Sequence, residues 1–304
     1  MPFASIRSFI AAASIAMVSY FAFIQEAPLE TAELRGKVVL VTGASTGIGE
    51  QIAYQYASHG AKIFLLARRK DVLEKVAKKC LELGAEKAIP VPSDMGRAED
   101  YQKVVQEVAR HSPAGRLDHL VLNHKAVNKL GFWKGTAGNI SHLEEVFRVN
   151  FFGYVALVSA LMPLLEEARG SVGIVSSVAG RTNTLYLLPY SSSKHALDGF
   201  FGGWRIELEA ANSPVTITYC TLGLIDTENA VTELKSIGFK SGLEKLAASS
   251  ANDTALAIVT AVTRRRRELY FPYASSRFPL LFRWWVPELF DWATSYFLQS
   301  GNKF

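Results

Sequence analysis

The hydrophobic positions of this 304-residue chain fall into short uninterrupted runs, separated by longer stretches in which apolar residues return every three or four places. Runs such as Val38-Val39-Leu40-Val41 and Val172 to Val175 are apolar at consecutive positions. That pattern suits parallel strands covered by helices on both faces. Seven strands are predicted: Val38 to Val41, Lys62 to Ala67, a third ending before Asp94, His119 to Asn123, Ser171 to Ser176, Val215 to Leu222 and Glu268 to Phe271. Helical periodicity separates them, notably over Ile48 to His59, Leu143 to Ala168 and Tyr190 to Ala211, while Pro113-Ala114-Gly115 and Gly135 to Gly138 read as loops. The alternation predicts one α/β domain built on a doubly wound parallel sheet of about seven strands. With 49% hydrophobic residues, a chain of this length buries one sizeable core, and no internal repeat or low-complexity tract suggests a second.

Both ends depart from that pattern. Ser8 to Ile24 is a seventeen-residue stretch without a charge. At 1.5 Å per residue it falls slightly short of a bilayer core of about 30 Å, which its flanks would complete. An uncleaved signal anchor is favoured over a cleaved signal peptide, because no convincing small-x-small site follows the run. Arg7 precedes the stretch and Glu26, Glu30 and Glu33 follow it, so the domain is expected on the lumenal side of the endoplasmic reticulum membrane. The last thirty residues carry Phe278, Trp284, Trp285, Leu289, Trp292, Tyr296 and Phe297 among few charges, which suits a membrane interface or subunit contact as well as packing on the domain itself. The expected organisation is a segment 1–33 of anchor and linker, a catalytic domain 34–275 and an aromatic-rich segment 276–304.

Charge and cysteine content add little. The net charge of +5 is concentrated in Arg264-Arg265-Arg266-Arg267 at a predicted helix end, where cations are favoured, so a solvated cap is expected rather than a nucleic-acid surface. Two cysteines, Cys80 and Cys220, read as buried free thiols, and no Cys/His cluster has metal-ligand spacing. The sequons at Asn139 and Asn252 are compatible with a lumenal glycoprotein.

The candidate chemistry lies in two separated motifs. Thr42-Gly43-Ala44-Ser45-Thr46-Gly47-Ile48-Gly49 joins the first strand to a helix, the context in which glycines let backbone amides approach a pyrophosphate at a helix N-terminus. Tyr190-Ser191-Ser192-Ser193-Lys194 places a tyrosine and a lysine on one helix face, with Ser177 thirteen residues before the tyrosine. A nearby ammonium is expected to lower the tyrosine pKa toward working pH. Ser176, beside Ser177 at the end of the same strand, is the competing serine. Arg68-Arg69 follows the second strand without an acidic residue, which suits a 2′-phosphate on the adenosine ribose.

From about Leu34 to Pro272 the chain resembles the short-chain dehydrogenases/reductases. Within them it is most similar to the 11β-hydroxysteroid dehydrogenase type 1 and type 1-like group, through Leu122-Asn123-His124, Val149-Asn150-Phe151, Val175 to Gly180, Ala196 to Phe201 and Leu222 to Glu228. The resemblance implies a Rossmann-type fold and a catalytic set of Asn150, Ser177, Tyr190 and Lys194, with Tyr190 as general acid/base and Asn150 holding a proton-relay water. It implies NADP(H) bound by Gly43, Ser45, Thr46, Gly47, Ile48, Gly49, Arg68, Arg69, Asp94, Met95, Asn123, Tyr190, Lys194, Gly223, Ile225 and Thr227. Segments Lys125 to Phe132, Arg181 to Pro189 and Thr232 to Leu246 would line the substrate mouth. The implied activity interconverts a secondary alcohol and a ketone on a steroid or similar lipophilic molecule, in a homodimer formed through Leu143 to Ala168 and Tyr190 to Ala211. A retinoid or xenobiotic carbonyl reductase and a catalytically idle scaffold are the alternatives.

Overall fold

The computed structural model describes residues 29–112, 115–228, 230, 232–233 and 248–300, so the apolar stretch Ser8 to Ile24 and most of the segment Thr232 to Leu246 lie outside the described residues. Seven parallel strands form the sheet: β1 (Val38–Thr42), β2 (Lys62–Ala67), β3 (Lys87–Pro92), β4 (His119–Leu122), β5 (Ser171–Ser177), β6 (Thr216–Leu222) and, last in the chain, β9 (Glu268–Phe271). Their order is β3-β2-β1-β4-β5-β6-β9, so the winding reverses between β1 and β4. Crevices at the carboxyl ends of strands on either side of such a reversal are where ligands bind in this architecture. A separate ladder pairs β7 (Ile225–Asp226) with β8 (Ser249–Ser250), an element the hydrophobic pattern did not predict.

The apolar runs are explained by two cores. Successive residues of a strand point to opposite faces. Val39 and Val41 accordingly join Ile52, Tyr56, Leu73 and Ile258 on one side, beneath helices α1 (Gly47–Ser58), α2 (Lys70–Glu82) and α7 (Ala251–Thr263). Val38 and Leu40 join Val104, Leu157, Leu161 and Phe201 on the other, beneath α3 (Ala98–His111), α5 (Gly153–Ala168) and α6 (Leu188–Ala210). Cys80 and Cys220 are buried free thiols, as expected.

The predicted helix Leu143 to Ala168 is longer and less regular than its periodicity suggested. It starts at Ala137, because the Thr136 side chain accepts from the Asn139 amide and Asn139 reciprocates at the Thr136 amide. Ala137 and Gly138 therefore belong to a helix rather than to the expected loop. Between α4 (Ala137–Phe147) and α5, residues Arg148–Phe152 form a turn of π-helix containing Asn150. Ala137–Ala168 is apolar and long enough to cross a membrane, but Tyr154, Leu157, Val158, Leu161 and Leu165 are fully buried in the core.

Two terminal helices, α8 (Tyr273–Trp285) and α9 (Pro287–Ser300), pack on each other through Phe282 and Phe290. They are fixed to the domain where Arg283 donates to the Arg181 carbonyl and Asn183 donates to Asp291. Their outer surface remains apolar and open, with Trp284 84% and Trp285 78% exposed. The arginine run is not a freely solvated cap. Arg264 pairs with Glu33, Arg265 donates to the carbonyls of Arg169 and Pro214, and Arg267 pairs with Glu209. Unsatisfied carbonyls and carboxylates near the end of α7 gather the cations more effectively than water does.

Candidate active site

A cleft of about 690 Å³ opens at the carboxyl ends of β1, β4 and β5, where the strand order reverses. At one end the turn after β1 delivers α1, whose N-cap residue Thr46 places no side-chain hydrogen bond on the helix amides. A helix N-terminus left to its own amides attracts an anion. Gly47 has φ +62, a left-handed backbone that disfavours a side chain. Gly49 serves a different purpose: a Cβ there would lie 2.2 Å from the Gly43 carbonyl oxygen, so only glycine lets α1 sit this close to β1. Ser45, Thr46, Arg68, Arg69, Asp94 and Met95 complete this end of the wall, and Arg69 Nη2 donates to Ser45 Oγ at 3.3 Å.

Ser177, Tyr190 and Lys194 line the same cleft, together with Gly43, Gly47, Ile48, Asn123, Gly223, Ile225 and Thr227. Two of the expected residues do not reach its surface. Gly49 acts from behind through packing, and Asn150 is fully buried, its Oδ1 accepting from the Ala126 amide at 2.7 Å and its Nδ2 donating to Ser193 Oγ at 3.1 Å. Asn150 thus ties the loop after β4 to helix α6. The two serines at the end of β5 are separated by their partners: Ser176 Oγ accepts from Tyr219, while the Ser177 side chain hydrogen-bonds Tyr190. Among the described residues, no group of three or more His, Cys, Asp or Glu side chains comes together in a metal-binding arrangement.

The electrostatics differ from expectation at Tyr190. Burial pushes its phenol up to about 12, the Ser177 hydrogen bond pulls the other way, and Glu233 pushes it further up. The ammonium does not produce the expected lowering, because Lys194 Nζ lies 5.8 Å from the Tyr190 ring centroid and donates to the Val175 carbonyl at 2.8 Å. Burial, assisted by the positive charge of Lys125, also brings Lys194 itself down to about 7, so near neutrality much of its charge is lost.

Several residues that support this site were given no supporting role in the sequence reading. Tyr154, one helical turn after Asn150, donates to the His124 carbonyl at 2.9 Å and lies within 3.5 Å of Lys194 Nζ. His124 bridges Thr42 Oγ1 at 2.8 Å and the Val149 carbonyl at 3.1 Å, and its ring packs 4.4 Å from that of Tyr154. The Tyr219 hydroxyl lies 2.9 Å from Ser176 Oγ and 3.2 Å from the Lys194 carbonyl, and the Arg181 guanidinium sits 4.7 Å above the Tyr219 ring. Spacing on one helix offered a clue to Tyr154, but the other contacts join segments far apart in sequence.

The proposed substrate mouth is only partly as read. Lys125, Ala126, Val127, Asn128 and Leu130 line the cleft, as do Thr232 and Glu233. From Arg181 to Pro189, only Leu187 does. Arg181 is turned away because Asp198, Glu268 and Tyr270 all bind its guanidinium, and Tyr186 packs instead against Phe132, 4.9 Å between ring centroids.

A profile for short chain dehydrogenases matches residues 37–237. The chain is 44% identical over 263 residues to a hydroxysteroid 11-beta-dehydrogenase 1-like protein of Gallus gallus, covering 86% of this chain and 87% of the relative. A protein of the same description from Danio rerio is 42% identical over 275 residues, 90% of this chain and 92% of its own length. Among solved structures, L-sorbose reductase from Gluconobacter frateurii, complexed with NADPH and L-sorbose, superposes with a TM-score of 0.71 at 23% identity, covering 80% of this chain and 98% of that one. At that identity the likeness concerns the fold.

Proposed function

Because the chain belongs to the short-chain dehydrogenase family, we propose that it is an NADP(H)-dependent oxidoreductase interconverting a secondary alcohol and a ketone on a steroid or similar lipophilic molecule, with the 11β-hydroxy/11-keto pair as the favoured substrate. The observation that carries the reading is the convergence of Ser177, Tyr190 and Lys194 on the wall that also holds the Gly43 to Ile48 turn and Arg68-Arg69. The residues fit the cofactor: an uncapped helix N-terminus suits the pyrophosphate, paired guanidiniums suit a 2′-phosphate, Gly47 permits close backbone approach, and Gly49 lets α1 sit close to β1. Asp94 and Met95 would flank its adenine, Ile225 and Thr227 would reach its carboxamide and phosphates, and Asn123 and Gly223 would line it as well.

When bound, the nicotinamide gives or takes the hydride. The chain supplies the proton and the geometry. Tyr190, with its phenol near 12, is protonated at neutral pH and begins with the proton that ketone reduction consumes. Ser177 hydrogen-bonds the substrate oxygen and Tyr190 donates to that oxygen as charge develops, which is general-acid catalysis beside a fixed dipole. Lys194 would hold the nicotinamide ribose, while Asn150 maintains the distance between the loop at Ala126 and helix α6. In the oxidative direction the same tyrosine takes the alcohol proton only as the phenolate, a form that a pKa near 12 makes scarce at neutral pH, so reduction is the direction the resting protonation state favours.

The setting is proposed on sequence and surface grounds. The apolar stretch Ser8 to Ile24 anchors the chain, the charges around it favour a lumenal domain, and the exposed Trp284-Trp285 face of the terminal helices rests at the membrane interface. Phe152, 58% exposed, and Ile206, 59% exposed, offer an apolar face on the π-turn and α6 for a homodimer. The deciding experiment incubates the purified protein in detergent with NADPH or NADH and a panel of 11-keto steroids, retinal and aromatic ketones. NADPH oxidation with the 11-keto steroids, abolished in Tyr190→Phe, is the expected result. Turnover confined to other carbonyls would remove the steroid assignment, and none in either direction would leave an idle binding scaffold.

A further inference from the structure

Behind the cleft, just after the turn that ends β5, Arg181 is held by more partners than a charge balance requires. Its side chain is 15% exposed. Nε and Nη2 donate to Asp198 Oδ1 at 3.0 and 2.6 Å, and Nη1 and Nη2 donate to the Glu268 carboxylate at 2.9 and 3.3 Å. Nη1 also donates to the Tyr270 hydroxyl at 2.6 Å. A guanidinium has five N–H donors in one plane, and these bonds use all of them. Asp198 lies on α6, and Glu268 and Tyr270 lie on β9, so the plane is fixed from two directions.

That plane covers the Tyr219 ring, 4.7 Å from its centroid, within the range of cation–π attraction. Tyr219 is fully buried in β6, and its hydroxyl lies 2.9 Å from Ser176 Oγ and 3.2 Å from the Lys194 carbonyl. One oxygen thus ties the residue before Ser177 to the backbone of Lys194. A second route runs along the chain. The Arg181 amide donates to the Val178 carbonyl and closes the turn Val178–Gly180. Gly180 sits so close to α6 that a Cβ there would lie 2.8 Å from Lys194 Cβ. Neither Arg181 nor Tyr219 lines the cleft, so both act on it through other residues. What five coplanar bonds supply beyond charge balance is direction, which a lysine with three donors on one rotating nitrogen would not reproduce.

We infer that Arg181 is a positioning residue of the hydride-transfer site, holding the Tyr219 ring so that its hydroxyl fixes Lys194 and the end of β5 that carries Ser177. This rests on the oxidoreductase reading for what Lys194 and Ser177 do, and it adds the device that keeps them in place.

The test uses two variants of the full-length protein. Tyr219→Phe keeps the ring and removes one oxygen, while Arg181→Lys keeps the charge and loses the planar fork. Trace acetylation with acetic anhydride, read residue by residue by mass spectrometry, reports how firmly Lys194 is held without requiring cofactor or turnover. Both variants should acetylate Lys194 about fivefold faster relative to the exposed lysines, the factor that one neutral hydrogen bond contributes. Cys220, beside Tyr219 in β6, and Cys80 are buried and should stay closed to a thiol reagent. NADPH affinity by fluorescence titration should fall by a similar factor, and the loss should vanish when Lys194→Ala is added. Lys194 labelled at the wild-type rate in both variants would overturn the inference. So would cysteines that open together with Lys194, which would indicate general loosening, or an NADPH loss that is absent or persists in Lys194→Ala. Faster labelling of Lys194 in a protein whose wild type binds no NADPH would support the positioning role while refuting the oxidoreductase reading.

Discussion

His124 makes the stability of this domain sensitive to acid in a way that can be worked from the structure. Its ring is wholly enclosed between Thr42, Val149 and Tyr154, and burial pushes its pKa from 6.5 down to about 3, with the charge of Lys194 acting in the same direction. In the unfolded chain the imidazole is protonated near pH 6.5, so on acidification the unfolded state takes up its proton first. The stabilisation is therefore complete above pH 6.5 and is lost progressively as pH falls toward 3. For a folded value near 3, moving from pH 8 to pH 5 removes about 2 kcal/mol through this one residue. Urea denaturation followed by circular dichroism at pH 8, 6.5 and 5 measures the loss. His124→Asn should lower stability at pH 8 by about 1–3 kcal/mol, through a hydrogen bond and packing no longer made. It should also flatten the dependence between pH 8 and pH 5 by about 2 kcal/mol. A variant whose stability declines with acid as steeply as the wild type would show that His124 does not carry this linkage.

Other perturbations follow from the same geometry. Gly49→Ala sets a methyl against the Gly43 carbonyl at 2.2 Å, so thermal stability should fall and NADPH binding by fluorescence titration should weaken at least tenfold; unchanged values would mean that α1 shifts freely. Replacing Arg68 and Arg69 together by alanine should cut the ratio of NADPH to NADH affinity by about tenfold or more, with little change for NADH; equal losses for both cofactors would refute the 2′-phosphate assignment. In the free enzyme, burial holds Lys194 near 7 with the charge of Lys125 assisting, so Lys125→Met should move upward the pH at which a Lys194-dependent kcat/KM declines; a stationary profile would show that Lys125 exerts no influence there.

The sheet was legible because its strands are buried on both faces, leaving apolar runs such as Val38 to Val41 and a strand, Lys62–Ala67, with the expected limits. Tyr190 and Lys194 were legible because a spacing of four puts them on one helix face, and Ser177 through the family resemblance of Val175 to Gly180. What escaped the sequence depends on contacts between distant segments. Nothing near Lys125 announces Glu233, and nothing near Arg181 announces Glu268. The same reason explains the reversed shift at Tyr190: the spacing places Lys194 on its helix face, but the Val175 carbonyl determines where the ammonium points. The start of the long helix at Ala137 was missed because it is set by hydrogen bonds between Thr136 and Asn139 and not by apolar periodicity.

The π-turn at Arg148–Phe152 also bears on how this chain tolerates changes in length. An α-helix advances about 100° per residue, so one additional residue in a turn rotates everything after it by that amount. Here the offset sets the phase in which Tyr154, Leu157 and Leu161 enter the core, and Tyr154 in turn meets Lys194. Single substitutions within the segment leave that phase alone. Deleting any one of its residues would restore a regular helix and swing the buried face of α5 toward solvent, so the number of residues in 148–152 is held fixed by the core independently of what Asn150 contributes to the site.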